Sequence, residues 1–116
     1  MIDNRRHVAI IIGIADYREP NLRLATPVRD AETLGALLEQ QHGYEVVLVR
    51  DEEATKSGLE HVFDTRMPAL VDEDCSLLVY FAGHGTATDS IDQPRGYLVP
   101  VDGGRDASSL LSMEHV

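Results

Sequence analysis

The stretch "VAIIIGI", residues 8–14, most constrains what this chain can fold into. It is apolar at every position and rich in β-branched residues, which suit a strand better than a helix. It does not alternate between apolar and polar, so both of its faces must be buried. Strands of that kind lie at the centre of parallel sheets covered by helices on either side. Two further runs read as strands: "YEVVLV" at 44–49, and "CSLLVYF" at 75–81, which is again a continuous apolar run. Leu78 and Tyr80 of the third run are expected in the core.

Helical segments separate the three runs. Before the first helix lies "ADYREPNLRLA", a loop with Pro20 and Asn21 as turn residues. Thr26-Pro27 reads as a helix start, with threonine as cap and proline at the first helical position. Ala31, Leu34, Leu37 and Leu38 fall on one face of that helix. Gly43 ends it in the left-handed conformation. A second helix starts at Thr55 or Ser57, since Ser57 and Glu60 have capping-box spacing. Leu59, Val62, Phe63 and Leu70 supply its buried face. The order β-α-β-α-β predicts parallel strands joined by right-handed crossovers, an α/β three-layer sandwich with Rossmann-like topology. After the third strand, "GYLVPVD" (96–102) holds a short extended piece, and "DASSLLSMEHV" (106–116) reads as the start of another helix.

The 116 residues suit a single domain spanning 1–116. The net charge of −10 argues against a nucleic-acid groove, which needs a basic face. No apolar run reaches the ~18 residues of a membrane span, and no small-x-small cleavage site follows the first run. The single cysteine, Cys75, excludes an internal disulfide and makes a reducing, cytoplasmic setting the expectation. There is no CxxC, HExxH, Walker loop or GxGxxG, so no metal or cofactor is expected.

The third run passes directly into Gly83-His84-Gly85. In open α/β sheets, ligands bind beyond the carboxyl ends of the strands, where His84 would sit. A histidine between two glycines at such a place is either a turn residue or a functional one. "VYFAGHG" at the end of a third strand resembles the caspase-like cysteine peptidases, in particular metacaspases and their bacterial relatives. "AIIIGIADY" is similar to that family's first strand and following loop. "LATPVRDAETLGALLEQQHGYEVVLVRDEEAT" is similar to its first helix, second strand and the start of its second helix, and "GYLVPVD" to the segment after its histidine. The resemblance runs from about His7 to about Leu111. Ala82 stands where metacaspases often carry serine.

The resemblance implies a Cys-His dyad that hydrolyses peptide bonds in a peptide or protein substrate. His84 would be the acid/base, and the Gly85 N–H would donate to the oxyanion. Asp30 would line an acidic pocket for a basic side chain; alternatively it serves the helix dipole in the first turn. Arg23 is read as a solvated loop residue. Asp89, Asp92, Asp102 and Asp106 lack EF-hand spacing and are read as solvated carboxylates.

Cys75 cannot complete the dyad. It opens the strand that His84 follows, and a strand rises ~3.3 Å per residue, which separates the two by on the order of 20–30 Å. It is read as small apolar filler. The caspase histidine precedes its nucleophile by about 50 residues, which falls beyond Val116. The expectation is therefore the N-terminal part of a caspase-like endopeptidase domain, truncated before its nucleophile and inactive alone. The alternative is a catalytically inactive scaffold module on the same fold. Self-association or fused sensor and effector domains are the partners such a module would have. A sheet stopped here would leave the outer edge of the third strand bare.

Overall fold

The computed structural model describes residues 5–88, 95–104 and 107–112. Strand β1 (Arg6–Gly13) lies in the middle of a parallel sheet of order β2-β1-β3, with β2 (Glu45–Arg50) and β3 (Cys75–Ala82) on either side. Val8, Ala9, Ile10, Ile11 and Ile12 have no exposed surface. This is the two-faced burial that an unalternating apolar run requires.

The faces of β1 belong to two separate cores. Ala9 and Ile11 pack with Ala31 of α1 (Pro27–His42), supported by Leu34 and Leu38. Ile10 and Ile12 pack with Val47, Val49, Leu59, Val62 and Phe63 on the opposite side. The latter three lie on a helical stretch that opens as α2 (Lys56–His61). It passes through one π-helical turn (Val62–Arg66) and ends as α3 (Met67–Leu70). Helix, sheet and helix form the three layers that the order of elements predicts.

The ends of the helices follow local chemistry, with two departures. Pro27 occupies the first position of α1 and Gly43 closes it at φ 69°. Thr26, however, makes no side-chain cap; its carbonyl accepts from the Asp30 N–H at 2.9 Å. For α2 the cap is Thr55, whose hydroxyl accepts from the Gly58 N–H at 3.0 Å, so Ser57 lies inside the helix. Leu37, expected on the buried face of α1, is 44% exposed. The face that α1 buries runs instead through Pro27, Ala31 and Gly35. There a side chain at Gly35 would come within 3.3 Å of Val46, so the helix lies low on the sheet.

The start of α1 is pressed onto the end of β1. A Cβ at Gly13 would lie 2.7 Å from both the Ala31 Cβ and the Pro27 carbonyl oxygen. Neither atom belongs to a flexible side-chain end. Gly13→Ala is therefore expected to destabilise the domain by about 1–3 kcal/mol, the usual cost of overpacking. A urea midpoint unchanged from wild type would contradict this.

Two expectations about the remaining chain are corrected. Leu78 and Tyr80 are not fully buried core residues: Leu78 is 39% exposed, as are Leu77 and Val79 at 40% and 37%, and Tyr80 is half-buried. The cause is position. Among the described residues no strand pairs with the outer edge of β3, so its apolar side chains lack neighbours on that side. The segment after 106 does not continue as an α-helix among the described residues. Ala107–Ser109 forms a single 3-10 turn, and Leu111–Ser112 is a strand, β6. It joins β4 (Gly85–Thr88) and β5 (Arg95–Leu98) in a small antiparallel sheet of order β4-β5-β6. Leu110 and Leu111 are buried by joining the Ile10–Ile12 core. Asp89, Asp92 and Asp106 lie outside the described residues. Among those described, no helix is long and apolar enough to cross a membrane.

Candidate active site

The carboxyl ends of β1, β2 and β3 carry three loops that are tied together. The loop after β1 is closed by the Leu24 N–H donating to the Ala15 carbonyl at 2.9 Å. Arg23 is an exposed loop residue, as expected, and braces the loop by donating to the Tyr17 carbonyl at 3.1 Å and lying 3.4 Å from the Asp16 carboxylate. Asp51, just past β2, accepts the Ala15 and Asp16 N–H groups on one carboxylate oxygen, at 2.8 and 2.9 Å. To do so it adopts φ 39°, the left-handed region that a non-glycine residue enters only under a local demand. The segment after β5 is bound in as well. Arg18 donates to the Val101 carbonyl at 3.0 Å, and Val101 donates to the Ala54 carbonyl at 2.9 Å. Asp102 is exposed, as expected of a solvated carboxylate, and also accepts from the Lys56 N–H at the start of α2 at 2.9 Å.

His84 stands at the centre of this assembly, half-buried, immediately past β3. Its Nε2 lies 2.7 Å from the carbonyl oxygen of Leu22. A carbonyl only accepts, so Nε2 carries the proton, and in the neutral ring the lone pair is on Nδ1. One face of the imidazole leans on the Tyr17 ring, with centroids 5.1 Å apart and planes at 56°. The ring is thus held by a hydrogen bond on one nitrogen and by packing on its face. The hydrogen bond favours one tautomer and the packing one ring orientation.

The backbone of His84 is held in an unusual way. Its carbonyl accepts from the Val99 N–H at 3.0 Å, as in an antiparallel ladder. The reciprocal ladder bond is absent. In its place the Tyr17 hydroxyl accepts from the His84 N–H at 2.8 Å and donates to the Val99 carbonyl at 3.0 Å. Tyr17 is completely buried. That burial pushes its phenol pKa above the usual value, despite the hydrogen bond from His84, so the hydroxyl keeps its proton.

The two glycines beside His84 answer to different demands. A Cβ at Gly83 would lie 2.8 Å from the Tyr17 hydroxyl oxygen and 3.1 Å from the Phe81 ring, so Gly83 makes room for that hydroxyl. A Cβ at Gly85 would meet only the Tyr97 carbonyl oxygen, at an ordinary 3.5 Å. Gly85 faces Leu98 across the ladder. Hydrogen-bonded and non-bonded pairs alternate, and His84–Val99 is the bonded position. The Gly85 N–H therefore points away from β5, outward from a strand at the edge of its sheet.

The other predicted residues are placed as follows. Asp30 is exposed in the first turn of α1, at the same end of the sheet as His84. No hydrogen bond of the described residues joins the two. Cys75 pairs with Arg6 at the opposite end of the sheet, seven positions before Ala82 pairs with Gly13. At ~3.3 Å per residue that is on the order of 23 Å, far beyond the reach of His84. Tyr17, the Leu22 carbonyl and Asp51 were not singled out by sequence reasoning. Leu22 acts through its backbone and carries no side-chain signal. Tyr17 and Asp51 reach the site only through tertiary contacts.

The protein is an α/β sandwich with a histidine held by hydrogen bonds beyond the carboxyl end of its parallel sheet. The caspase domain model matches residues 6–116, nearly the whole chain, and the protein belongs to that family. Among solved structures it is similar to protein GSU0716 from Geobacter sulfurreducens, with a TM-score of 0.70 and 19% identity. That match covers 95% of this chain and 42% of the other, so the chain spans less than half the length of that neighbour. At such identity the likeness concerns the fold. No curated protein matches the chain.

Proposed function

We propose that this chain is the histidine-bearing part of a cysteine endopeptidase, with His84 as acid/base. The observation that carries the reading is the 2.7 Å approach of His84 Nε2 to the Leu22 carbonyl, an acceptor that leaves the lone pair of the neutral ring on Nδ1. In the reaction, Nδ1 takes the proton of a cysteine thiol, and the thiolate attacks the scissile carbonyl carbon. The resulting oxyanion is stabilised by the outward-pointing Gly85 N–H. Collapse of the tetrahedral species breaks the C–N bond, and His84 returns its proton to the leaving amine. A thioester remains. His84 then deprotonates water, which attacks the thioester; the C–S bond breaks, and His84 returns the proton to the departing thiolate as the acid is released. Asp30, exposed at the same end of the sheet, is the carboxylate proposed to favour substrates with Arg or Lys before the cleaved bond. A reducing, cytoplasmic setting suits the thiol chemistry.

The nucleophile in this proposal is a cysteine other than Cys75. Cleavage of Arg and Lys peptides by the whole protein tests this. Cys75→Ala is expected to leave kcat/KM within about twofold, and the isolated 116 residues to show no cysteine-dependent turnover. Turnover by the isolated chain that Cys75→Ala abolishes would refute the assignment. A whole protein that cleaves no peptide and keeps its fold would favour the scaffold reading instead.

A further inference from the structure

The Tyr17 hydroxyl occupies a place that the β-ladder would otherwise fill. His84 and Val99 stand one register position beyond the Gly85–Leu98 pair, yet only one of the two hydrogen bonds such a pair would make is direct. The other runs through Tyr17, in two steps of 2.8 and 3.0 Å. The hydroxyl thus holds the His84 N–H and the Val99 carbonyl further apart than a direct bond of ~2.9 Å would. The pair is therefore splayed at the His84 N–H, while the His84 carbonyl stays bonded to the Val99 N–H at 3.0 Å.

We propose that Tyr17 is a positioning residue for His84: its hydroxyl, spliced between His84 and Val99, keeps the ladder from closing and so keeps the imidazole on Leu22. Four features of the structure fit together on this account. Tyr17 is fully buried and its hydroxyl is bonded on both sides, so it has one position. Gly83 leaves room for that hydroxyl. The Tyr17 ring supports one face of the His84 imidazole. Asp51 fixes Ala15 and Asp16, directly before Tyr17, in a strained conformation of its own. Tyr17 and Leu22 lie on the same closed loop, so a single element sets both the backbone and the ring of His84. The inference rests on the peptidase reading for its consequence in catalysis, and on geometry alone for the position of the ring.

The test is Tyr17→Phe, with Asp51→Gly as a second variant. Glycine accepts the backbone conformation of residue 51 without strain but lacks the carboxylate. In the folded 116-residue chain, proton NMR reads the χ1 rotamer of His84 from its coupling constants, and its contact with Leu22 from the nuclear Overhauser effect. The wild type is expected to show one rotamer and the Leu22 contact. Tyr17→Phe is expected to show averaged couplings and loss of that contact, with amide shifts of β1 and β2 unchanged. Asp51→Gly is expected to weaken the same contact. In the whole protein, Tyr17→Phe is expected to lower kcat about tenfold with KM within about twofold, the pattern of a misplaced catalytic group. A single His84 rotamer still on Leu22 in Tyr17→Phe would overturn the inference. So would unfolding of both variants, which would make these residues supports of the fold. A loosened ring with undiminished kcat would uphold the positioning role and count against His84 as the acid/base.

Discussion

On the proposed peptidase reading, replacing His84 by alanine is expected to lower kcat for peptide hydrolysis by at least about 10²-fold in the whole protein, the usual contribution of a positioned acid/base. The expectation follows from the proton inventory of the proposed reaction. The thiol must lose a proton and the leaving amine must gain one. In the proposed reaction His84, with one nitrogen committed to Leu22, serves both. The effect on stability is smaller, though not nil. The imidazole is half-buried against Tyr17, so its loss removes packing as well as a hydrogen bond. A cost of about 1 kcal/mol is expected, more than the ~0.5 kcal/mol usual for a solvated loop side chain. Measuring kcat/KM beside a urea midpoint separates the two effects. Activity near that of the wild type, or activity lost only in proportion to unfolded protein, would make the histidine structural.

The largest expected effect on stability belongs to β1. Ile12 is completely buried in the central strand, paired with Val49 on one side and Phe81 on the other. Ile12→Ala removes three carbons from a position that neighbouring strands cannot collapse to fill. About 2–5 kcal/mol is expected, a large share of the stability of a domain this size. Leu78→Ala deletes as many carbons from β3, but at a side chain 39% exposed. It is expected to cost less than about half as much, because little cavity forms where solvent already reaches. Chemical denaturation of the two variants in the 116-residue chain checks the contrast. Equal losses would mean that the outer face of β3 is covered in solution.

That contrast shows where the sequence speaks and where it falls silent. The run "VAIIIGI" announced a central strand because burial on both faces is written into its composition, residue by residue. "CSLLVYF" carries the same composition, so it read as equally buried. Its actual exposure depends on which neighbours pair with it, and no local pattern records that. Helix α1 was legible from Pro27 to Gly43 because proline and glycine act through their own backbone preferences. Strand β5 was legible as the extended piece of "GYLVPVD", whereas β4 and β6 were not. "GTAT" and "LS" are short and weakly apolar, and pairing makes them strands. This overrode the helical look of the segment after 106.

The candidate site divides in the same manner. His84 was legible as a glycine-flanked histidine at the end of a strand. The reason for each glycine was not, since Gly83 answers to Tyr17, which is distant in sequence. The Leu22 carbonyl left no trace at all, because a backbone acceptor is common to every residue type. Asp30 was visible as a charge in a first turn, and the fold places it at the end of the sheet where His84 stands.

The account turns on His84 activating a cysteine that is not Cys75. Labelling the whole protein with a peptidyl electrophile, and locating the adduct by tandem mass spectrometry, tests that most directly. The account predicts an adduct on a cysteine other than Cys75, forming at a rate that falls at least about tenfold in His84→Ala, because the thiolate is the reacting species. An adduct on Cys75, or a labelling rate indifferent to His84, would contradict it.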